Sequence, residues 1–394
     1  MIRLLIVDDS ALMRRLLAGI FKDDGDYEIH LARNGQEAVE MNRDLEPDVI
    51  TLDINMPEMD GLEALSLIMA ERPVPVVMVS SLTEKGALAT FEALNLGAID
   101  FVTKPGGTIS LSVDDVKEDL KKKVRIAAKA RLRKVSSSAR TAEAKPTRTS
   151  TAARSTATRP RPKATQSRST ATQPGSAASS APRAGSPTGL NIGRPRQFDE
   201  PLVILGVSTG GPRTLEDILP ELPGEFPAPI LIAQHMPASF TKSLADRLDR
   251  ACAMSVQEVA KPTTLEAGSI YIGRGGADMV PYRSGNNLMV TTKPEDPEFL
   301  WHPSVERLGL SVMRSCVPSQ ILAVMLTGMG YDGDNAFTEL RQAGAHTIAE
   351  SEETAVVFGM PDALIRKGGA KEIVPAHQIA ARMQAWSRKY RRAG

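Results

Sequence analysis

The first third of the chain alternates short, continuously apolar runs with stretches of helical periodicity. Residues 2–7 form a mostly apolar run whose one polar residue is Arg3, and aliphatic side chains between 12 and 20 then recur at the spacing of one helix face. Continuous apolar runs are typical of strands buried on both faces. Five strand–helix units in succession predict a doubly wound parallel sheet with helices on both faces. The predicted strands are 2–7, 27–32, 49–52, 76–79 and 98–102, and the predicted helices include 12–20, 35–42, 61–70, 84–96 and 111–130.

A second region of the same kind runs from residue 200 to about 390. It predicts another mainly parallel α/β sheet, of a Rossmann-like type. Its middle part, 255–292, has short strands and turn residues and no clear helix, which predicts an antiparallel edge added to that sheet. The predicted strands are 202–207, 230–233, 255–259, 269–272, 288–291, 321–326 and 346–349, and the predicted helices are 212–219, 240–250, 304–314, 333–343 and 377–388.

The segment between these regions differs in composition. Residues 136–189 contain no aromatic residue, no cysteine and no aliphatic residue larger than alanine, and Ser, Thr, Ala, Arg and Pro dominate. Such a segment has no large apolar side chains whose burial could offset the conformational entropy lost on folding. We therefore predict that it is disordered. It is also basic, because residues 135–198 hold eleven Lys or Arg and a single acid. We therefore predict a domain at 1–125, a long flexible linker at 126–199 and a second domain at 200–390.

Composition narrows the class of protein. The formal net charge is +1 over 394 residues, which argues against a general nucleic-acid or membrane binder. The two cysteines, Cys252 and Cys316, have no motif spacing, which excludes a disulfide scaffold and suits a reducing compartment. No apolar run approaches the length of a membrane span, and acidic residues come too early for a signal peptide. We predict a soluble cytoplasmic protein.

Acidic residues gather at the strand ends of the first domain. Asp8 and Asp9 follow the first predicted strand, and Asp53 ends the third. Carboxyl ends of parallel strands meet at one edge, so the three carboxylates repel one another unless a cation, most simply Mg²⁺, lies between them. Ser80 ends the fourth strand, and Lys104 follows the fifth, at the same edge of the sheet. Three carboxylates, a hydroxyl and an ammonium together suit phosphoryl transfer to a carboxylate. Helix capping explains one such aspartate, but not five polar residues.

A serine follows the first strand of the second domain. Gly206-Val207-Ser208-Thr209-Gly210 fits the G-x-S-x-G pattern of a nucleophile at a strand-to-helix turn, although glycines there also serve close packing or phosphate binding. A serine nucleophile needs a base and an acid that orients the base. His235 follows a second buried strand, and Asp332 follows a third. The three strand ends predict a Ser208–His235–Asp332 site in one crevice.

The sequence also offers donors for the oxyanion and other histidines that could be the catalytic base. The N–H groups of Thr209 and Met329 lie in glycine-rich turns and are the natural oxyanion donors. An α/β-hydrolase runs Ser…Asp…His, which would require His346 as the base. His346 opens a strand at the opposite edge, so that alternative is disfavoured. We expect His302 to be structural or to line the substrate groove.

The acidic motifs resemble the receiver domain of two-component response regulators over residues 1–125. The resemblance rests on Asp8-Asp9, Asp53, Met56-Pro57-Glu58-Met59-Asp60-Gly61, Ser80 and Lys104-Pro105. It implies a flavodoxin-like (βα)5 domain in which Asp53 is phosphorylated by a cognate histidine kinase. It also implies that Asp8, Asp9, Asp53 and the Asn55 carbonyl hold Mg²⁺, and that Ser80 and Lys104 respond to the phosphoryl group.

The serine motifs resemble the chemotaxis methylesterase family, CheB, over about 200–385. The motifs are Gly206 to Gly211, Gln234-His235-Met236-Pro237, Leu326 to Gly333 and Val357-Phe358-Gly359-Met360-Pro361. The resemblance implies hydrolysis of γ-glutamyl methyl esters on the cytoplasmic helices of chemoreceptors, with methanol released and receptor glutamines deamidated as a side activity. It implies no cofactor in this domain, a monomer, and a receiver that covers the active site until it is phosphorylated. The long linker predicts leaky coverage.

Two other functions stay open at the level of sequence. The second domain could be a partner-binding module without catalysis, or an esterase of the same family that serves a chemosensory array unrelated to motility. DNA-binding output is disfavoured because the second domain has no helix-turn-helix signal.

Overall fold

The structure is a computed structural model that describes residues 1–81, 83–104, 113–130 and 198–390. The predicted disordered stretch at 136–189 lies outside these residues. The described chain forms two α/β domains, one before and one after the linker.

The N-terminal domain contains the predicted parallel sheet of five strands. The strand order is β2-β1-β3-β4-β5, and every pairing is parallel. Alternate residues of β1 enter opposite cores, with Leu4 and Ile6 on one face and Leu5 and Val7 on the other. The strands are β1 Ile2–Val7, β2 Tyr27–Ala32, β3 Val49–Asp53, β4 Val76–Ser80 and β5 Asp100–Thr103, and the helices are α1 Ala11–Lys22, α2 Gly35–Leu45, α3 Gly61–Glu71, α4 Glu84–Leu96 and α5 Val113–Ala127.

Side-chain caps begin the first four of these helices. Ser10, Asn34, Asp60 and Thr83 each accept a hydrogen bond from a backbone N–H of the first helical turn. Such caps satisfy donors that a helix start leaves unpaired. The turns that lead into these helices also carry the polar side chains at the carboxyl edge of the sheet, because each helix starts close to the end of a strand.

The C-terminal domain contains a parallel sheet of seven strands in the order β15-β14-β13-β6-β7-β10-β8. Strand order reverses around β6, which lies between β7 and β13, so a crevice opens at their carboxyl ends. The strands are β6 Leu202–Val207, β7 Ile230–Gln234, β8 Ser255–Val259, β10 Ser269–Gly273, β13 Ile321–Met325, β14 His346–Glu350 and β15 Glu372–Val374, and the helices are α6 Gly211–Ile218, α7 Ala238–Ala251, α8 Val305–Ser315, α9 Asp334–Gln342, α10 Met360–Arg366 and α11 Ala376–Ser387.

The predicted antiparallel edge over 255–292 is wrong. β8 and β10 pair in parallel and extend the main sheet. The antiparallel strands form a separate three-stranded sheet, β9 Thr263–Thr264, β11 Ala277–Ser284 and β12 Asn287–Pro294. The connection between β8 and β10 carries β9 rather than a helix, so the usual signature of a parallel crossover is missing from the sequence.

No helix in the described ranges is long and apolar enough to cross a membrane.

Candidate active site

Ser208 directly follows β6 and is held by backbone contacts to both neighbouring strands. Its N–H donates to the Thr327 carbonyl, just beyond β13, at 3.0 Å. Gln234, at the end of β7, donates from Nε2 to the Ser208 carbonyl at 3.0 Å. A methyl group on Gly328 would lie 2.8 Å from Ser208 Cβ, so only glycine fits beside the serine. The serine is therefore fixed at the switch point of the sheet.

His235 lies beside Ser208 because its N–H donates to the Val207 carbonyl at 3.1 Å. Its side chain is 8% exposed, and its Nε2 is 2.8 Å from Asp332 Oδ2. Since a carboxylate only accepts, Nε2 carries the ring proton. The other ring nitrogen, Nδ1, is buried and has no hydrogen-bond partner among the described residues. The neutral ring thus keeps a free lone pair at Nδ1, and the predicted contact of His235 with Asp332 is present.

Asp332 accepts hydrogen bonds on both carboxylate oxygens. Oδ1 receives Ser304 Oγ and the Glu306 N–H, both at 3.0 Å, and Oδ2 receives the Val305 N–H at 2.6 Å as well as His235. Burial raises the pKa of this carboxyl, but the hydrogen bonds from His235 and from the two N–H groups outweigh burial and hold the pKa below its usual range. Asp332 is therefore an anion that is stabilised by the N-terminus of α8.

The anchoring of α8 involves residues that the sequence did not reveal as a site. Asp278 on β11 is fully buried, and its Oδ1 accepts from the Ser304 N–H at 2.9 Å and from His302 Nδ1 at 3.1 Å. Ser304 also caps α8 through the Arg307 N–H. The only sequence signal was a serine placed before a helix. The role of Asp278 depends on a hairpin that the sequence pattern did not define.

The two predicted oxyanion donors belong to two turns that adjoin Ser208. Thr209 follows the serine, and Met329 follows Gly328, which packs against Ser208 Cβ. Within the described part of the chain, neither the Thr209 N–H nor the Met329 N–H donates a hydrogen bond. Both groups are available to an incoming oxyanion.

The remaining histidines lie elsewhere, as expected. His346 starts β14, and its Nε2 is 2.6 Å from Glu372 Oε1. Burial lowers the pKa of His346, and Glu372 only partly offsets this effect. Because His346 is committed to Glu372 at the amino end of its strand, the α/β-hydrolase alternative finds no support.

The acidic residues predicted at the carboxyl edge of the N-terminal sheet lie close together there. Ligand atoms of Asp8, Asp9 and Asp53 lie within 4.8 Å of one another. Lys104 Nζ is 3.0 Å from Asp8 Oδ2 and 2.8 Å from Asp53 Oδ2. Burial raises the pKa of Asp53, and Lys104 offsets only part of this rise. Asp53 Oδ1 is buried and accepts no hydrogen bond from a described residue, so the set fits a hard divalent cation. Asn55 is exposed two residues further along.

The comparisons with known proteins agree with this pair of sites. A family model for the CheB methylesterase matches residues 203–383, and one for the response regulator receiver domain matches residues 4–113. The protein-glutamate methylesterase/protein-glutamine glutaminase 3 of Rhodospirillum rubrum is 47% identical over 389 residues, which cover 98% of this chain and 96% of that protein. This chain belongs to the CheB methylesterase family.

A second curated relative matches to a similar extent, and a solved structure matches the C-terminal half. The protein-glutamate methylesterase/protein-glutamine glutaminase 2 of Rhodopseudomonas palustris is 46% identical over 98% of both chains. Among solved structures, the CheB methylesterase catalytic domain of Thermotoga maritima is 36% identical and covers 47% of this chain and 98% of its own, with a TM-score of 0.46. The N-terminal domain described above is the receiver, and the C-terminal domain is the methylesterase.

In this CheB chain the receiver contacts the residue next to the serine. Thr209 Oγ1 donates to Asp100 Oδ2, at the start of β5, at 2.6 Å, and both residues are buried. Phe240 of α7 packs against Phe101 and Phe91 of the receiver, with ring centroids 4.4 and 6.4 Å apart. A cleft of about 310 Å³ remains between α5 and the turn at Met329. The receiver face of α4, β5 and α5 therefore lies against the methylesterase site.

Ser80 faces this side of the receiver. Its Oγ accepts from Thr90 Oγ1 at 2.8 Å and donates to the Gly86 carbonyl at 3.4 Å, both on α4. The predicted switch residue is thus tied to the helix that carries Phe91.

Proposed function

We propose that this chain is a protein-glutamate methylesterase that hydrolyses γ-glutamyl methyl esters of chemoreceptors and is activated by phosphorylation of its receiver. The observation that carries the proposal is the buried His235–Asp332 pair beside Ser208, with His235 Nδ1 unpaired. Relatives that match over nearly the whole chain are named protein-glutamate methylesterase/protein-glutamine glutaminase. Their name supports both ester hydrolysis and glutamine deamidation. The cytoplasmic helices of chemoreceptors are the proposed substrate, which would place the enzyme in the cytoplasm.

The chemistry follows from the positions of the three side chains. Ser208 Oγ attacks the ester carbonyl, and its proton passes to His235 Nδ1 as the Oγ–C bond forms. The N–H groups of Thr209 and Met329 bind the oxyanion. His235 then gives the proton to the departing methoxide oxygen, and methanol leaves. Water repeats the sequence on the acyl-enzyme and restores Ser208, while Asp332 stabilises the imidazolium throughout.

The receiver supplies the control. Asp53 is the proposed acceptor of a phosphoryl group from a histidine kinase. Asp8, Asp9, Asp53 and the Asn55 carbonyl would hold Mg²⁺, which neutralises phosphoryl charge when bound. Lys104, already paired with Asp8 and Asp53, would turn to the phosphoryl oxygens. Ser80 would leave α4 for the same oxygens, and the face that contacts Phe240 would shift with α4.

Phosphorylation is expected to raise methanol release from a methylated receptor cytoplasmic domain. A coupling free energy of ordinary size corresponds to activation of about 5- to 150-fold when Mg²⁺ and a small acyl phosphate are added. Asp53→Ala should retain the basal rate and lose the activation, whereas Asp44→Ala, on the exposed surface of α2, should keep both. Absence of methanol release in every condition would instead favour a partner-binding module, and release without activation would refute the control by Asp53.

Loss of the contact between Asp100 and Thr209 is expected to raise the basal rate without phosphorylation. A buried hydrogen bond to a charged group stabilises the contact by about 1.5–3 kcal/mol, so Asp100→Ala should increase basal methanol release by up to about 10- to 150-fold. Asp100 also pairs with Lys123, and Asp119 pairs with the same ammonium but, among the residues that the structure describes, forms no hydrogen bond or ion pair with the methylesterase domain. Asp119→Ala is therefore the matched control, and equal basal rates in both variants would contradict the role of Asp100.

A further inference from the structure

The indole of Trp301 lies flat against the imidazole of His235. Trp301 belongs to the loop between β12 and α8. The two rings are 2° from parallel, with centroids 5.5 Å apart. This separation is within the range of stacked aromatic pairs and within the distance at which a cation over an indole is attracted to it.

Trp301 also touches the oxyanion turn. A methyl group on Gly330, which has a φ of +88°, would lie 3.0 Å from Trp301 Cζ2. Tyr331 meets the indole edge-on, with ring centroids 5.4 Å apart and planes at 87°. The indole is thus fixed between the base and the turn that presents the Met329 N–H. A side chain that merely covered the site would not require this double contact.

The hydrogen bond to Asp332 fixes only one edge of the His235 ring. The ring can still rock about the line from Cβ to Nε2, and rocking would change the direction of the Nδ1 lone pair. A parallel indole removes that freedom. It also offers a negative π face to the imidazolium, whose charge appears only after His235 has taken the serine proton.

We propose that Trp301 is a positioning residue that holds the plane of His235 and stabilises the imidazolium formed in the transition state. This inference rests on the proposed function of Ser208 and His235. The charged or titratable groups around the imidazole are Asp332 in direct contact and, behind it, Glu306, Asp278, His302 and Arg307. Trp301 is the group that stacks on the face of the ring.

Substitution of Trp301 separates positioning from simple packing. In the full chain with Mg²⁺ and acyl phosphate, Trp301→Leu should lower kcat for methanol release about 3- to 30-fold, with KM nearly unchanged. The protonated imidazole loses its π partner and gives up its proton more easily, so the low-pH limb of kcat/KM should move about half a pH unit lower. Trp301→Phe keeps an aromatic face and should recover most of kcat and of the pH profile.

The other tryptophan provides the control. Trp386 on α11 packs on Tyr390, far along the chain from the serine site. Trp386→Leu should lower thermal stability and leave the pH profile in place. An NMR titration of the His235 ring in wild type and Trp301→Leu gives a second readout that needs no turnover. An unshifted His235 titration, or a rise in KM at constant kcat, would overturn the inference. A wild-type protein that releases no methanol would refute the proposed function, while the titration would still test the stacking.

Discussion

Ser208→Ala is expected to lower kcat for methanol release by about 10⁶-fold, to the level of catalysis by binding and backbone donors alone. Without the hydroxyl there is no atom to form the acyl-enzyme, and His235 has no proton to accept. The change removes a single oxygen from a half-buried side chain, so folding and substrate binding should persist. The measurement is methanol released per enzyme from a methylated receptor fragment under activating conditions.

Ser284→Ala is the matched control for this result. Ser284 is exposed at the tip of the β11–β12 hairpin, and the same oxygen is removed there. Its rate should equal that of wild type. Substantial methanol release by Ser208→Ala would show that another nucleophile, or water activated by His235, performs the hydrolysis.

Asp332→Asn is expected to lower kcat about 10⁴-fold. Two donors from the start of α8, Ser304 Oγ and the Glu306 N–H, point at Oδ1, so the amide oxygen of asparagine will turn towards them. Its NH₂ group then faces His235 and can only donate to Nε2. The ring proton must move to Nδ1, the atom that has to accept the proton of Ser208. The loss should therefore fall on kcat rather than on KM.

Asp334→Asn tests whether burial alone explains such a loss. Asp334 lies two residues along, is equally buried at 4% exposure, and pairs with Lys367 at 2.9 Å. This variant should lose stability in a thermal melt while its kcat stays within a few-fold of wild type. If both variants lost activity alike, the effect would belong to the integrity of the turn and not to the tautomer of His235.

The sequence predicted the parallel strands well because their burial leaves a direct trace. β6 is a continuous apolar run and β1 is a mostly apolar one, and their parallel pairings match the prediction. The prediction of an antiparallel edge over residues 255–292 was wrong for a physical reason. β8 is an edge strand with mixed burial, β10 lies between β8 and β7, and the hairpin beside them has the same residue types. α10 was missed because seven residues are too few for helical periodicity.

The site was predictable where it depends on strand ends. Ser208, His235 and Asp332 each follow a buried strand, so topology alone places them at one crevice. Asp278 and Trp301 could not be found in this way. Asp278 acts through Ser304, which is 26 residues away, and Trp301 stacks on a ring 66 positions earlier in the chain. Such contacts depend on loop conformations that no local pattern encodes.

Phe240 joins the interiors of both domains. It belongs to the methylesterase core through α7, yet its ring is closed off by Phe91 and Phe101 of the receiver. We therefore expect the basal activity of the enzyme to depend on the apolar packing of this contact as well as on its charges. A substitution of Phe91 or Phe101 by a smaller residue should then change the basal rate, although it leaves both reaction centres intact. Natural variation in receptor adaptation could then arise in residues that touch neither the ester nor the phosphoryl group.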